Sequence, residues 1–132
     1  MTSPSALAAA LRAHARGLYC DEAAAELLIA QSWLRHPDFT SQFITVHPSI
    51  SDGQPMAVID WAAAVAALGT SMPSSGGEQR MLRITASMGG GIPVDLRDTL
   101  TGIDDRNLHL LIWAIRHASG NDRKTINIDD RI

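Results

Sequence analysis

The chain has 132 residues, 45% of them hydrophobic, so it is long enough to bury a core and short enough to form a single domain. Its formal net charge of -3 and its pI of about 5.9 exclude an overall positive field that would hold a nucleic-acid backbone or an anionic membrane. Cys20 is the only cysteine, which excludes an intrachain disulfide and a thiolate metal cluster built within one chain.

The first predicted helix covers residues 4–16. Ser3 followed by Pro4 is typical of an N-cap and a first helical residue, and leucine and alanine then recur at helical spacing. The segment before this helix lacks the basic residues of a signal peptide, and no apolar run approaches the roughly 20 residues that cross a bilayer. We therefore expect a cytoplasmic protein with no membrane segment.

The second predicted helix, over residues 21–36, is expected to lie at the centre of the fold. Its apolar residues cover nearly the whole circumference and leave only a narrow polar strip, formed by Glu22, Glu26 and Arg35. Its end is predicted at His36, because Pro37 disfavours the helical conformation in the residue before it. The proline can start another short helical turn, which would carry both phenylalanines of the chain.

A β-hairpin is predicted around residues 43–60. Two short β-prone runs, 44–46 and 56–59, are separated by a segment that contains the turn pair Asp52 and Gly53. Because the other elements are helical, the predicted fold class is mainly α with a small β component, an α+β fold of about five to six helices.

The second half of the chain is predicted to contain further helices, each opened by a side chain that can cap its N-terminus. The capping residues are Asp60, Ser75, Asp95 and Asp104. The glycines at positions 89–91 are interpreted as a helix end or a flexible joint. Residues 1–120 are assigned to one helical domain and residues 121–132 to a polar tail.

Local motifs for chemistry are not found in the sequence. The glycine pair before Glu78 lacks the lysine of a phosphate-binding loop, and Ser75 with Glu78 is better explained as a capping box. The five histidines have no metal-ligand spacing, and no nucleophile elbow occurs. We therefore assign no catalytic, cofactor-binding or metal-binding residue, and an enzyme whose site is assembled from distant residues is kept as an alternative.

The helix pair over residues 96–119 has the outline of a helix-turn-helix, which is typical of DNA-binding proteins. Asp104 and Asp105 open the would-be recognition helix, and their charge would repel phosphate where that helix approaches the groove. An ordinary helical hairpin explains the pattern better. A DNA-associated accessory protein is therefore an alternative function.

The last helix has two distinct sides. Its predicted core face consists of Leu108, Leu111, Ile112, Ile115 and Ala118. The opposite side, here called the basic stripe, consists of Arg106, His109, Leu110, Trp113, Arg116 and His117. Tryptophan and arginine together are typical of protein contact sites, although the stripe could instead pack on the N-terminal helix. The predicted function is a non-catalytic protein-interaction module that binds a protein partner or a second copy, as a homodimer, through this stripe.

Several segments resemble a family of small uncharacterised proteins from high-GC Gram-positive bacteria. The segments are MAVIDW at 56–61, SGGEQRMLR at 75–83, GIPVDLR at 91–97, LTGIDDRN at 100–107 and RHASG at 116–120. The resemblance covers about residues 22–120. It implies a cytoplasmic bacterial accessory protein, and it transfers no catalytic residue and no cofactor.

Overall fold

The computed structural model describes residues 2–121, which form helices and one β-hairpin joined by loops. In chain order they are α1 (Pro4–Ala15), α2 (Tyr19–Ala30), a 3-10 turn (Ser32–Arg35), α3 (Pro37–Phe43), β1 (Ile44–Pro48), β2 (Pro55–Ile59), α4 (Trp61–Ala67), α5 (Gly76–Gly90), α6 (Leu96–Leu100) and α7 (Asp105–Ala118). The predicted fold class, mainly α with a small β component, is confirmed. The described residues form seven α-helices, slightly more than the five to six expected, and α3, α4 and α6 have seven residues or fewer. The predicted polar tail, except for Asn121, lies outside them.

The predicted helix N-caps are confirmed by their hydrogen bonds. The Ser3 hydroxyl accepts from the amide of Ala6 at 3.2 Å, and the Asp60 carboxylate accepts from the amide of Ala63 at 3.0 Å. Ser75 and Glu78 form the reciprocal capping box, with distances of 3.1 and 2.9 Å. Each cap satisfies amides that the first helical turn leaves without a backbone partner.

The end predicted for the second helix at His36 is wrong, because α2 stops at Ala30. Gln31 adopts an extended conformation, and its side-chain amide donates to the carbonyl of Leu27 and accepts from the indole N–H of Trp33. The chain turns there and continues as the 3-10 turn, which buries Trp33 and Leu34. A straight helix would have carried these two large side chains away from the core that they fill.

The predicted hairpin is confirmed. β1 and β2 are antiparallel, with Ile44 opposite Ile59 and Pro48 opposite Pro55. In the loop between them the Asp52 carboxylate accepts from the amide of Gln54 at 3.0 Å, and Gly53 has a φ of 73°, a left-handed conformation that suits glycine. The hairpin packs against α1 through β2, on which Ala57 is buried.

α2 is central, as predicted, because it separates two apolar clusters and packs against α1, α5 and α7. One face of α2 joins the larger cluster with α1, the 3-10 turn, α3, the hairpin and α4. The opposite face, with Ala23 and Leu27, joins the smaller cluster, whose other buried members are Met81, Ile84, Leu111 and Ala114. No helix within residues 2–121 has both the length and the apolar character needed to span a membrane.

Candidate functional site

The site begins with the way in which α7 is held on the fold. The Asp104 carboxylate caps α7 by accepting from the amide of Asn107 at 2.8 Å. Leu111 and Ala114 are the buried residues of the helix, and they pack in the smaller cluster with α2 and α5. Because alanine residues, Ala23 and Ala114, belong to this contact, little side-chain volume separates the helices there.

The core face predicted for α7 is wrong for three of its five residues. Leu111 is buried and Ala118 is partly buried, but Leu108, Ile112 and Ile115 have exposed fractions of 44%, 47% and 59%. At about 100° per residue these three side chains lie about a quarter of a turn from Leu111 and Ala114. We call Leu108, Ile112 and Ile115 the outer face of α7.

The structure divides the basic stripe between partly buried and exposed positions. The Arg106 guanidinium donates to the carbonyl of Ala30 at 3.0 Å, next to the end of α2. Leu110 is partly buried against the smaller cluster. His109 is exposed, and its Nδ1 lies 2.8 Å from the backbone oxygen of Asp105. Of these three residues, Arg106 therefore contacts the end of α2, Leu110 packs on the smaller cluster, and His109 is exposed.

Trp113 and His117 face a groove that α7 forms with α1 and α2. Their rings are stacked, with centroids 5.3 Å apart, and the rings of Tyr19 and His117 make a T-shaped contact with centroids 5.7 Å apart. His117 Nε2 is 2.8 Å from Oε1 of Glu22, whose other oxygen accepts from the amide of Gly17. These contacts fix the orientation of the imidazole and join the C-terminal end of α7 to the start of α2.

The other wall of the groove carries an ion pair between α1 and α2. Arg12 donates through Nε and Nη2 to the two carboxylate oxygens of Glu26, at 2.7 and 3.0 Å. This hydrogen bonding raises the pKa of Arg12 above its ordinary value. With Ala15, Arg16 and Ala25 between the walls, the groove has a volume of about 350 Å³.

The groove brings together residues that sequence reasoning did not connect. Periodicity assigns Glu22 and Glu26 to the polar strip of the second helix and His117 and Trp113 to the basic stripe, and all four line the groove. Glu22 and His117 are 95 positions apart, so no local spacing could indicate the pair. Arg116, the remaining stripe residue, is partly buried on α7.

The arrangement can orient an imidazole and present an aromatic surface next to charged groups. Cys20 is exposed, and residues 2–121 contain no group of three histidine, cysteine, aspartate or glutamate side chains placed to hold a metal ion. The alternatives of an enzyme with a distant-residue site and of DNA binding by residues 96–119 stay predictions.

Comparison of the chain with protein-family models, with curated proteins and with solved structures finds no match. The resemblance to proteins of high-GC Gram-positive bacteria therefore stays a prediction.

Proposed function

We propose that the protein is a non-catalytic interaction module that binds protein through α7. The observation that carries this proposal is the outer face, where three large aliphatic side chains remain exposed on a helix whose inner side is already packed. Spacing of i, i+4 and i+7 is the pattern by which an amphipathic helix presents anchors to a partner. A cytoplasmic location, in a bacterial cell, belongs to the same proposal.

The outer face supports protein binding better than the binding of a charged polymer. Leu108, Ile112 and Ile115 carry no charge, and each leaves roughly half of its side chain available for burial. Burial of aliphatic surface is the main favourable contribution to protein association. A contiguous apolar patch on a protein surface is typical of an interaction site, whereas isolated exposed aliphatic side chains are ordinary.

Two residues of the basic stripe extend the proposed contact surface beside the outer face. His109 and Trp113 are exposed and lie on the side of α7 next to the outer face. A half-exposed tryptophan that is already held by a stacked histidine loses little rotational freedom on binding. We therefore include Trp113 in the proposed contact, as a secondary position beside Ile112.

Photo-crosslinking tests the proposal in living cells. A photo-reactive benzoylphenylalanine replaces Ile112 in one variant and Ile50, which is fully exposed in the hairpin loop, in the control. We expect a discrete protein adduct from position 112, absent from position 50 and lost when Leu108→Asp is added. Equal, diffuse labelling from both positions, or an adduct that survives Leu108→Asp, would contradict an interaction through the outer face.

A further inference from the structure

We infer that the partner of the outer face is a second copy of this chain, with the two α7 helices packed antiparallel about a twofold axis near Ile112. This inference rests on the proposed function, because it specifies the partner of the same face. A twofold contact requires a patch that is complementary to itself. The sequence and structure of α7 satisfy this requirement in both apolar spacing and charge.

The apolar spacing of the outer face is nearly symmetric. Leu108 lies four residues before Ile112 and Ile115 lies three residues after it. In an antiparallel pair, Leu108 of one copy therefore meets Ile115 of the other, while the two Ile112 side chains meet near the axis. The seam then has four outer side chains and a central pair, and each apolar group faces another apolar group.

The charges beside the outer face also favour the antiparallel direction. Asp105 and Arg116 lie on the same flank of the Leu108, Ile112 and Ile115 line, near opposite ends of α7. Antiparallel helices bring equivalent flanks together, so Asp105 of one copy lies beside Arg116 of the other, twice. Parallel helices would instead bring this flank against the opposite one. The helix dipoles also attract each other only in the antiparallel arrangement.

The exposure of these residues fits the inference. The side chain of Asp105 is 88% exposed and, within the described part of the chain, its one ion pair is with the exposed His109, Oδ2 to Nδ1 at 3.6 Å, so it can turn towards a neighbouring molecule, where it would meet the partly buried Arg116. The aliphatic residues of the outer face have no neighbouring helix among residues 2–121 that buries them. A second α7 supplies the missing apolar surface without any change in the fold.

Disulfide crosslinking of the full chain tests both the partner and the direction. In a Cys20→Ser background, single variants Leu108→Cys, Ile112→Cys and Ile115→Cys are oxidised with a copper catalyst, and Ile50→Cys is the control. We expect Ile112→Cys to link to itself, and Leu108→Cys to link to Ile115→Cys in a mixture faster than either links to itself. In the antiparallel pair, two copies of position 108 are separated by roughly 10 Å along the axis, beyond disulfide reach.

Each other outcome overturns the inference. Rapid self-linking of Leu108→Cys and of Ile115→Cys would show parallel helices. Linking no faster than that of Ile50→Cys, together with a monomer in sedimentation up to about 1 mM chain, would exclude a second copy. A photo-crosslink from benzoylphenylalanine at position 112 to residues 122–132 of the same chain would show that the face is covered within one molecule.

The measurements also separate this inference from the proposed function. A photo-adduct from position 112 with twice the mass of the chain supports both, whereas an adduct with a different protein supports the interaction module and overturns self-association. For Ile112→Ala we expect the dissociation constant of the dimer to rise about thirtyfold, because the side chain is lost from both copies. Alanine is a good helix former, so the variant keeps a folded α7.

Discussion

Gly89→Ala is expected to destabilise the protein by about 2 kcal/mol, although alanine forms helices better than glycine. A Cβ at position 89 would lie 2.8 Å from Cβ of Ala24 and 2.8 Å from the indole ring of Trp61. Ala24 is buried on α2, so its Cβ cannot move without shifting that helix. Overpacking costs up to about 3 kcal/mol, against about 1 kcal/mol gained in helix propensity.

Urea denaturation measures this difference directly. With an m-value of about 2 kcal/mol per molar urea, the midpoint should fall by about 1 M while m stays constant. Gly77→Ala, in the first turn of the same helix, is the matched control, since its Cβ would meet only the Ser75 hydroxyl at 4.0 Å. We expect the control to be neutral or stabilised by up to about 1 kcal/mol. If Gly89→Ala were as stable as Gly77→Ala, the close approach of α5 to Trp61 would be refuted.

Three further substitutions test contacts described above. Gln31→Leu leaves the buried indole N–H of Trp33 without its acceptor and should cost about 1–3 kcal/mol in urea denaturation; an unchanged midpoint would contradict the role given to this side chain. His117→Ala should cost about 1–2 kcal/mol and shift tryptophan emission to the red, whereas His109→Ala, at an exposed position, should change stability by less than about 0.5 kcal/mol. Arg12→Met should cost at most about 1 kcal/mol because the ion pair is half-exposed. The pKa of Arg12 is raised in the folded protein. The stabilisation is therefore present below the unfolded pKa and is lost only as pH rises through the higher folded pKa. The cost of Arg12→Met should consequently be the same at about pH 6 and at about pH 9.

The features that sequence reasoning predicted correctly depend on nearby residues. A cap joins a side chain to an amide three positions later, as in Ser75 with Glu78, and the hairpin depends on two β-prone runs around one turn. Such interactions are encoded within a few positions of the chain. Their presence therefore follows from the sequence without knowledge of the tertiary contacts.

The break in α2 could not be found in this way. Pro37 gives a valid local signal, but the helix ends six positions earlier than predicted, at Ala30. The reason is tertiary, because the 3-10 turn that follows the break buries Trp33 and Leu34 in the larger cluster. Gln31 makes this change of direction with hydrogen bonds to both sides, including one to Thr85 on α5.

The groove was also beyond sequence reasoning, for a related reason. Periodicity places Glu22 on the polar strip of one helix and His117 on the basic stripe of another. Whether two polar strips meet depends on how the helices pack, which periodicity does not specify. Here the contact between α2 and α7 brings them to 2.8 Å.

The residues of α7 that were wrongly predicted to be core form the outer face, on which the proposed protein contact depends. Periodicity places Leu108, Ile112 and Ile115 on one core face with Leu111, yet of these four residues the structure buries only Leu111, together with Ala114. The triple variant Leu108→Gln, Ile112→Gln, Ile115→Gln distinguishes the two cases. Replacing a buried aliphatic residue by a small one costs about 2–5 kcal/mol at each position, whereas exposed positions tolerate substitution within about 0.5 kcal/mol. We therefore expect the triple variant to unfold at nearly the wild-type urea concentration when both are compared at a chain concentration at which the wild type is monomeric, while its self-association at higher concentration is abolished. Loss of folding would instead place these side chains in the core and remove the basis for an interaction through α7.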